Sequence, residues 1–234
     1  INSIPASPIV ITADSSQANF SGALVYVNDL EGKITKINLT NMERTPEYDL
    51  LTGKFTTNAT PINLYDKYTL FDVMASTQIN NIYSYHSLDA GIGVRSKSFW
   101  LFGGTGDIMN LNDLQVDHNK VKNVMYGIKD FSYPFFGSAK TNQSPDNFLR
   151  CKNTTKDQDG SNCPDIGDRG WYINIDDQKK VVNEPTLTGN VVYYPVFKPL
   201  RGAKSCGDGK AYICSVVVNV LNAGADWIHF DVMD

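Results

Sequence analysis

The chain has 234 residues, 41% of them hydrophobic and 20% charged, and 21 basic against 25 acidic residues give a net charge of −4. That length buries a core without help. With 12 Tyr, 11 Phe and 3 Trp the chain is not a disordered one, and the acidic balance leaves no basic footprint for nucleic acid.

No run of about 18 apolar residues occurs, so no transmembrane segment is expected. Ile1 comes without Met and without a charged-then-apolar leader, which reads as a piece of a longer chain. Pro8 to Thr12 is the first short strand, followed by a polar stretch from Asp14 to Gly22. Ala23 to Leu39 then reads as a hairpin. Leu24 to Val27 is apolar, Asn28-Asp-Leu-Glu-Gly32 is turn-forming, and Ile34, Ile37 and Leu39 carry the return strand. Gly32 takes a positive φ without steric cost, and the Asp29 carboxylate can accept hydrogen bonds from its own turn.

Residues 41–69 read as irregular, with a strand near Pro61–Leu64, and Leu70–Ser76 as a helical turn or two. Ser98 to Phe102 is a second apolar strand, halted by Gly103-Gly-Thr-Gly106, and Asn123 to Asp130 a third. Residues 137–168 form a long polar loop. Gly170 to Ile175 is a fourth strand, followed by Val181-Val182, Asn190 to Phe197 and Ala211 to Val218. No amphipathic helix of useful length is visible. Many short strands with turn signals between them mean an all-β sandwich, barrel or propeller. The recurrence of similar strands favours a β-propeller, partial or modified, with four-stranded blades and long loop insertions. Such insertions usually carry binding.

The four cysteines fall into two local pairs, Cys151/Cys163 and Cys206/Cys214. Two loop-stapling disulfides, and hence an extracytoplasmic location, are the favoured reading. A zinc site is the weaker one, because neither pair has Cys-x-x-Cys spacing and His86, His118 and His229 are scattered. Sequons occur at Asn38, Asn58, Asn142 and Asn153, a pattern that an Asn- and Thr-rich chain produces by composition. Gly103-Gly-Thr-Gly106 lacks the Lys-Ser/Thr and the helix of a phosphate loop, so a blade turn is expected there, with Asp29, Gly32, Gly103 and Gly106 as structural turn residues. No Gly-x-Ser-x-Gly elbow appears, and none of the histidines sits in a catalytic block.

Four ordered blocks carry a family resemblance. They are Val25 to Leu39; Trp100-Leu-Phe-Gly-Gly-Thr-Gly106; Val124-Met-Tyr-Gly-Ile-Lys-Asp130; and Arg169-Gly-Trp-Tyr-Ile-Asn-Ile with Lys180-Val-Val-Asn-Glu-Pro and Asn190-Val-Val-Tyr-Tyr-Pro-Val-Phe-Lys-Pro. Ser205-Cys-Gly-Asp-Gly-Lys-Ala-Tyr-Ile follows them. Together they resemble the C-terminal β-propeller of the PilY/PilC family of type IV pilus biogenesis and tip-adhesin proteins, across roughly residues 5–218. The resemblance implies a non-catalytic role in pilus assembly and cell adhesion, at the pilus tip, the outer-membrane surface or the periplasm. It implies minor pilins and a host-cell receptor as partners, and no cofactor apart from calcium.

Some relatives carry a calcium loop in this propeller. Here Asp14-Ser-Ser-Gln-Ala-Asn-Phe-Ser-Gly22 keeps one acid, too few for a cation that takes six to eight oxygens. Asp157, Asp159, Asn162 and Asp165 are the remaining calcium candidates, the alternative being a solvated loop. Residues 1–222 are assigned to the propeller segment and 223–234 to a tail of separate character. Its His229-Phe-Asp231-Val-Met-Asp234 resembles a strand motif of ribulose-phosphate 3-epimerase, a (β/α)₈ enzyme, in which the positions of His229 and Asp231 are metal and acid/base residues. Nothing upstream reads as such a barrel, so an edge strand is expected. The alternative functions are that epimerase-like one and a quinoprotein-dehydrogenase-like propeller enzyme. Trp100, Trp171 and Trp227 lack the regular spacing the latter requires.

Overall fold

The computed structural model describes residues 3–12, 22–40, 42–49, 54–61, 65–73, 82–93, 98–109, 111, 123–137, 151–152, 169–175, 178–189, 191–199, 209–219 and 224–232. These residues are all-β. Among them no helix occurs, and hence none long and apolar enough to cross a membrane.

Three sheets follow one another along the chain, and each runs largely in sequence order. The first contains β1 (Ile9–Thr12), β2 (Ala23–Asn28), β3 (Lys33–Asn38) and β6 (Lys67–Asp72), all antiparallel. Between β3 and β6 the chain makes a separate two-stranded ribbon, β4 (Met42–Asp49) with β5 (Lys54–Pro61). The second sheet contains β7 (Asp89–Ile92), β8 (Phe99–Gly104), β9 (Asn123–Asp130) and β11 (Gly170–Ile175), with β10 (Cys151–Lys152) added parallel to β11. The third has β14 (Val191–Pro199), β15 (Gly209–Asn219) and β16 (Gly224–Val232) as a meander. β12 (Lys180–Val181) and β13 (Thr186–Thr188) share the outer side of β14.

The central strands of the second sheet, β8 and β9, are buried on both faces: every position except Asn123 is buried and most are apolar, instead of alternating. Phe99 and Leu101 of β8, Val124, Tyr126 and Ile128 of β9 and Tyr172 of β11 meet Leu24, Tyr26, Ile34, Leu70 and Phe71 of the first sheet. The intervening residues point the other way. Trp100, Phe102, Met125, Trp171, Ile173 and Ile175 meet Val181, Val192, Tyr194, Val196, Cys214 and Val216 of the third. The period of two along each strand thus divides one sheet between two cores.

The opening turn is built as its residue types require. Gly32 N–H donates to Asp29 O at 2.9 Å, and Gly32 has φ 74°. Asp29 Oδ1 accepts from Glu31 N–H at 3.1 Å and Lys33 N–H at 2.9 Å. The turn is then anchored by Leu30 N–H to Ser3 O and by Ser84 N–H to Leu30 O, both 2.8 Å.

Two sequence expectations are corrected. The helical turn at Leu70–Ser76 is replaced at its start by strand, since Leu70, Phe71 and Asp72 belong to β6, and residues 74–76 lie outside the described set. The described part of 41–69 is not irregular: it holds the β4–β5 ribbon and the start of β6, while residues 62–64 of the strand expected near Pro61–Leu64 lie outside the described residues. Polar, Thr-rich ribbon strands carry no apolar alternation to announce them.

The glycine block after the second apolar strand also differs from expectation. Gly103 and Gly104 do not halt β8 but complete it, and neither they nor Gly106 has a positive φ. Their lack of a side chain is used for close approach. A Cβ on Gly103 would overlap Tyr126 Oη, and one on Gly106 would lie 2.7 Å from Val181 O and 2.8 Å from Val181 N. Backbone cannot move aside as a side-chain tip can. Gly106→Ala is therefore expected to cost about 1–3 kcal/mol of stability, the range for overpacking, and to lower the urea midpoint with an unchanged slope.

Candidate functional site

The cluster that departs most from an ordinary apolar core lies between the first two sheets. Lys36 and Asp130 face each other with side chains 0% and 1% exposed, and Lys36 Nζ stands 2.6 Å from Asp130 Oδ2. Tyr26 Oη donates to the same Oδ2 at 2.7 Å. Lys36 Nζ also donates to Phe135 O at 2.7 Å, and Ser132 N–H donates to Asp130 Oδ1 at 3.0 Å. Both carboxylate oxygens are therefore engaged by groups on the protein.

Local structure explains how a lysine arrives there. In β3 the inward face is Ile34, Lys36 and Asn38, while Lys33, Thr35 and Ile37 face outward to different degrees. The register sets Lys36 directly between Tyr26 of β2 and Tyr68 of β6. Its Nζ lies 5.8 Å, 6.0 Å and 5.9 Å from the ring centres of Tyr26, Tyr68 and Phe136, in the range where an aromatic face attracts a cation. Asp130 comes from the second sheet as the next inward position after Val124, Tyr126 and Ile128. Residues 131–137 then curl over the cluster. Tyr133 stacks on Phe99 at 4.7 Å, and Tyr68 Oη donates to Phe136 O at 3.0 Å.

Burial pushes the Tyr26 phenol far above its ordinary value, with the Asp130 charge and its hydrogen bond adding to the shift. The phenol is thus a permanent donor at any physiological pH. A buried charge pair that is fully hydrogen-bonded joins its two elements tightly, although its net worth over an apolar pair is small. This cluster joins β3 of the first sheet to β9 of the second.

A second polar group sits at the far end of β2. Asn28 Nδ2 donates to Ser84 Oγ at 2.7 Å and to His86 O at 3.3 Å, and Ser84 Oγ donates to Gly104 O at 3.1 Å. Asn28 Oδ1 and His86 Nε2 are buried without a hydrogen-bond partner among the described residues. Burial lowers the His86 pKa from 6.5, and the Glu184 charge opposes that shift. The unfolded chain therefore binds a proton more readily than the folded one. Stability contributed by neutral His86 is present above pH 6.5 and is lost as pH falls below it. Urea midpoints on either side of that pH should show the decline, and His86→Gln should flatten it.

The remaining sequence-predicted residues separate clearly. Asp29 and Gly32 form the turn described above. Gly103 and Gly106 line the close approaches of β9 and β12 rather than a turn. Cys214 is a buried free thiol in β15, facing the second core. Cys163 and Cys206 lie outside the described residues, as do Asp157, Asp159, Asn162 and Asp165, and Cys151 begins β10. Burial pushes the Cys214 thiol up to about 11. Cys214 is thus expected to resist a disulfide-exchange reagent at neutral pH in the folded protein and to react once the chain is unfolded, as thiol counting with and without urea would show.

Asn38 is fully buried and its side chain is consumed locally: Nδ2 donates to Thr40 O at 2.7 Å, and Oδ1 accepts from Thr40 N–H at 2.9 Å. It is no sugar acceptor in the folded chain. His118 and Asp234 lie outside the described residues. His229 and Asp231 stand in β16, the edge strand of the third sheet, opposite Ser215 and Ile213 of β15. Among the described residues no three His, Cys, Asp or Glu side chains form a metal-binding group.

Lys36, Asp130 and Tyr26 were not singled out as functional from the sequence. The signal was present, since counting by twos from Ile34 and from Val124 puts Lys36 and Asp130 on buried faces. What no single strand reveals is that the two faces meet. No protein-family model, curated protein or solved structure matches this chain.

Proposed function

We propose that the chain is part of a β-propeller of the PilY/PilC type, serving type IV pilus assembly and adhesion at the pilus tip through protein contacts rather than catalysis. Each of the three sheets is then one blade. The observation that supports this reading best is the serial arrangement: three four-stranded or larger, mainly antiparallel sheets, built in chain order, with the second packed face to face between the first and the third. The ordered blocks that resemble that family fall on β2–β3, β8, β9, β11–β12 and β14.

In this reading the β4–β5 ribbon is an insertion leaving the first blade between its third and fourth strands, where a binding loop is tolerated. Minor pilins are the proposed partners on the pilus side and a host-cell receptor on the other, in an extracytoplasmic setting. Any calcium site belongs to Asp157, Asp159, Asn162 and Asp165.

The test is co-purification from piliated cells. A minor pilin should be retained by the chain and lost when residues 42–61 are replaced by a short Gly-containing turn. If no pilus component is retained by the intact chain, the reading fails.

A further inference from the structure

We propose that Lys36 and Asp130 react to form an intramolecular amide bond that locks the first sheet to the second. The pair already holds the two groups such a bond needs, and it holds them in contact. Lys36 Nζ is 2.6 Å from Asp130 Oδ2, and both side chains are closed off from solvent. Groups fixed in this way react as an effectively unimolecular pair, and exclusion of water removes the competing hydration shell.

The atoms balance without any other reagent. One ammonium and one carboxylate contain the atoms of one secondary amide and one water. A proton passes from Lys36 Nζ to Asp130 Oδ2 along their contact, leaving a neutral amine and a carboxylic acid. The amine lone pair attacks Asp130 Cγ and the C–N bond forms. Negative charge collects on Oδ1, where Ser132 N–H already donates at 3.0 Å in the manner of an oxyanion donor. A second proton moves from the former ammonium to Oδ2. The Cγ–Oδ2 bond then breaks, and Oδ2 departs as water.

Tyr26 stands where this last transfer takes place. Its hydroxyl donates to Oδ2 at 2.7 Å, so it can pass one proton to the leaving oxygen and recover another from the nitrogen. Phe135 O, accepting from Lys36 Nζ at 2.7 Å, holds the nitrogen in place. Tyr26, Tyr68 and Phe136 wall the site with rings. The product would bridge residues 94 positions apart and join two sheets that, among the described residues, meet through side-chain packing and hydrogen bonds.

Mass spectrometry of the purified, reduced and denatured protein tests this directly, because the readout does not depend on folding of a variant. The expected result is a mass lower than that of the sequence by one water. A protease digest should contain one branched species joining the peptide with Lys36 to the peptide with Asp130. Asp130→Ala and Lys36→Arg should restore the full mass, and folded Tyr26→Phe should lose its water more slowly. An unmodified mass after prolonged incubation of the folded wild-type chain overturns the proposal. So does a water loss that maps to one linear peptide, which would mark a cyclised aspartate instead.

Discussion

Lys36→Ala is expected to lower the unfolding free energy by about 3–5 kcal/mol, the loss seen when one member of a buried pair is removed and the other remains uncompensated. Asp130 would keep its buried position and its Ser132 N–H and Tyr26 hydroxyl donors but lose the ammonium that balances its charge. Asp130→Ala should cost a similar amount, because the buried Lys36 ammonium, which donates to Phe135 O, would lose the carboxylate that balances its charge. Measured against the chain in which the amide has not formed, the double change Lys36→Met with Asp130→Leu should recover much of the loss, since an apolar pair of similar volume avoids desolvating two charges. Urea unfolding of the four proteins forms a double-mutant cycle, with a strongly non-additive result expected. The single variants are destabilised whether or not the amide has formed, so this cycle measures the coupling of the sheets and the mass measurement decides its covalency.

Trp171→Ala should cost about 3–5 kcal/mol as well, for a different reason. Trp171 is fully buried in the second core and meets the Tyr194 ring edge-on, with centroids 6.3 Å apart and an interplanar angle of 79°. Its ring also fills the space that Gly127 leaves open, where a Cβ would lie 2.7 Å from Trp171 Nε1. Truncation would leave a cavity between the second and third sheets, and close packing on both sides limits collapse. Trp171→Phe should cost clearly less. It keeps most of the ring and removes an indole N–H that has no hydrogen-bond partner among the described residues. Denaturant unfolding followed by circular dichroism separates the two variants.

At high pH the loss of stability should follow the buried acids. The Cys214 thiol ionises near 9.0 when unfolded and near 11 when folded, so stability falls as pH rises through that interval. Tyr126 and Tyr194 follow from pH 10.0 upward, because burial holds both phenols protonated in the folded chain while the unfolded chain releases its protons.

The strands with strong apolar runs were legible one by one. Asn123–Asp130 and Gly170–Ile175 have the same bounds in the fold as in the sequence, and the turn at Asp29–Gly32 forms from the donor, acceptor and φ preferences of its own residues. The ribbon Met42–Pro61 was not legible, because Thr-rich strands without an apolar face leave no periodic signal. Nor was the function of the glycines at 103–106. Glycine serves turns and close approaches alike, and only the arrival of Tyr126 and Val181 shows that here it serves approach.

Local chemistry in the chain thus specifies an all-β fold, most of its strongest strands and the opening turn, since backbone preference and the period of two act within a few residues. Pairing of one buried face with another acts across long separations. It placed Lys36 against Asp130, gave the two faces of the second sheet to two separate cores, and turned a polar residue in a strand into half of a buried, reactive pair. Register decides which side of a strand each residue occupies, but only sheet packing decides what waits on that side.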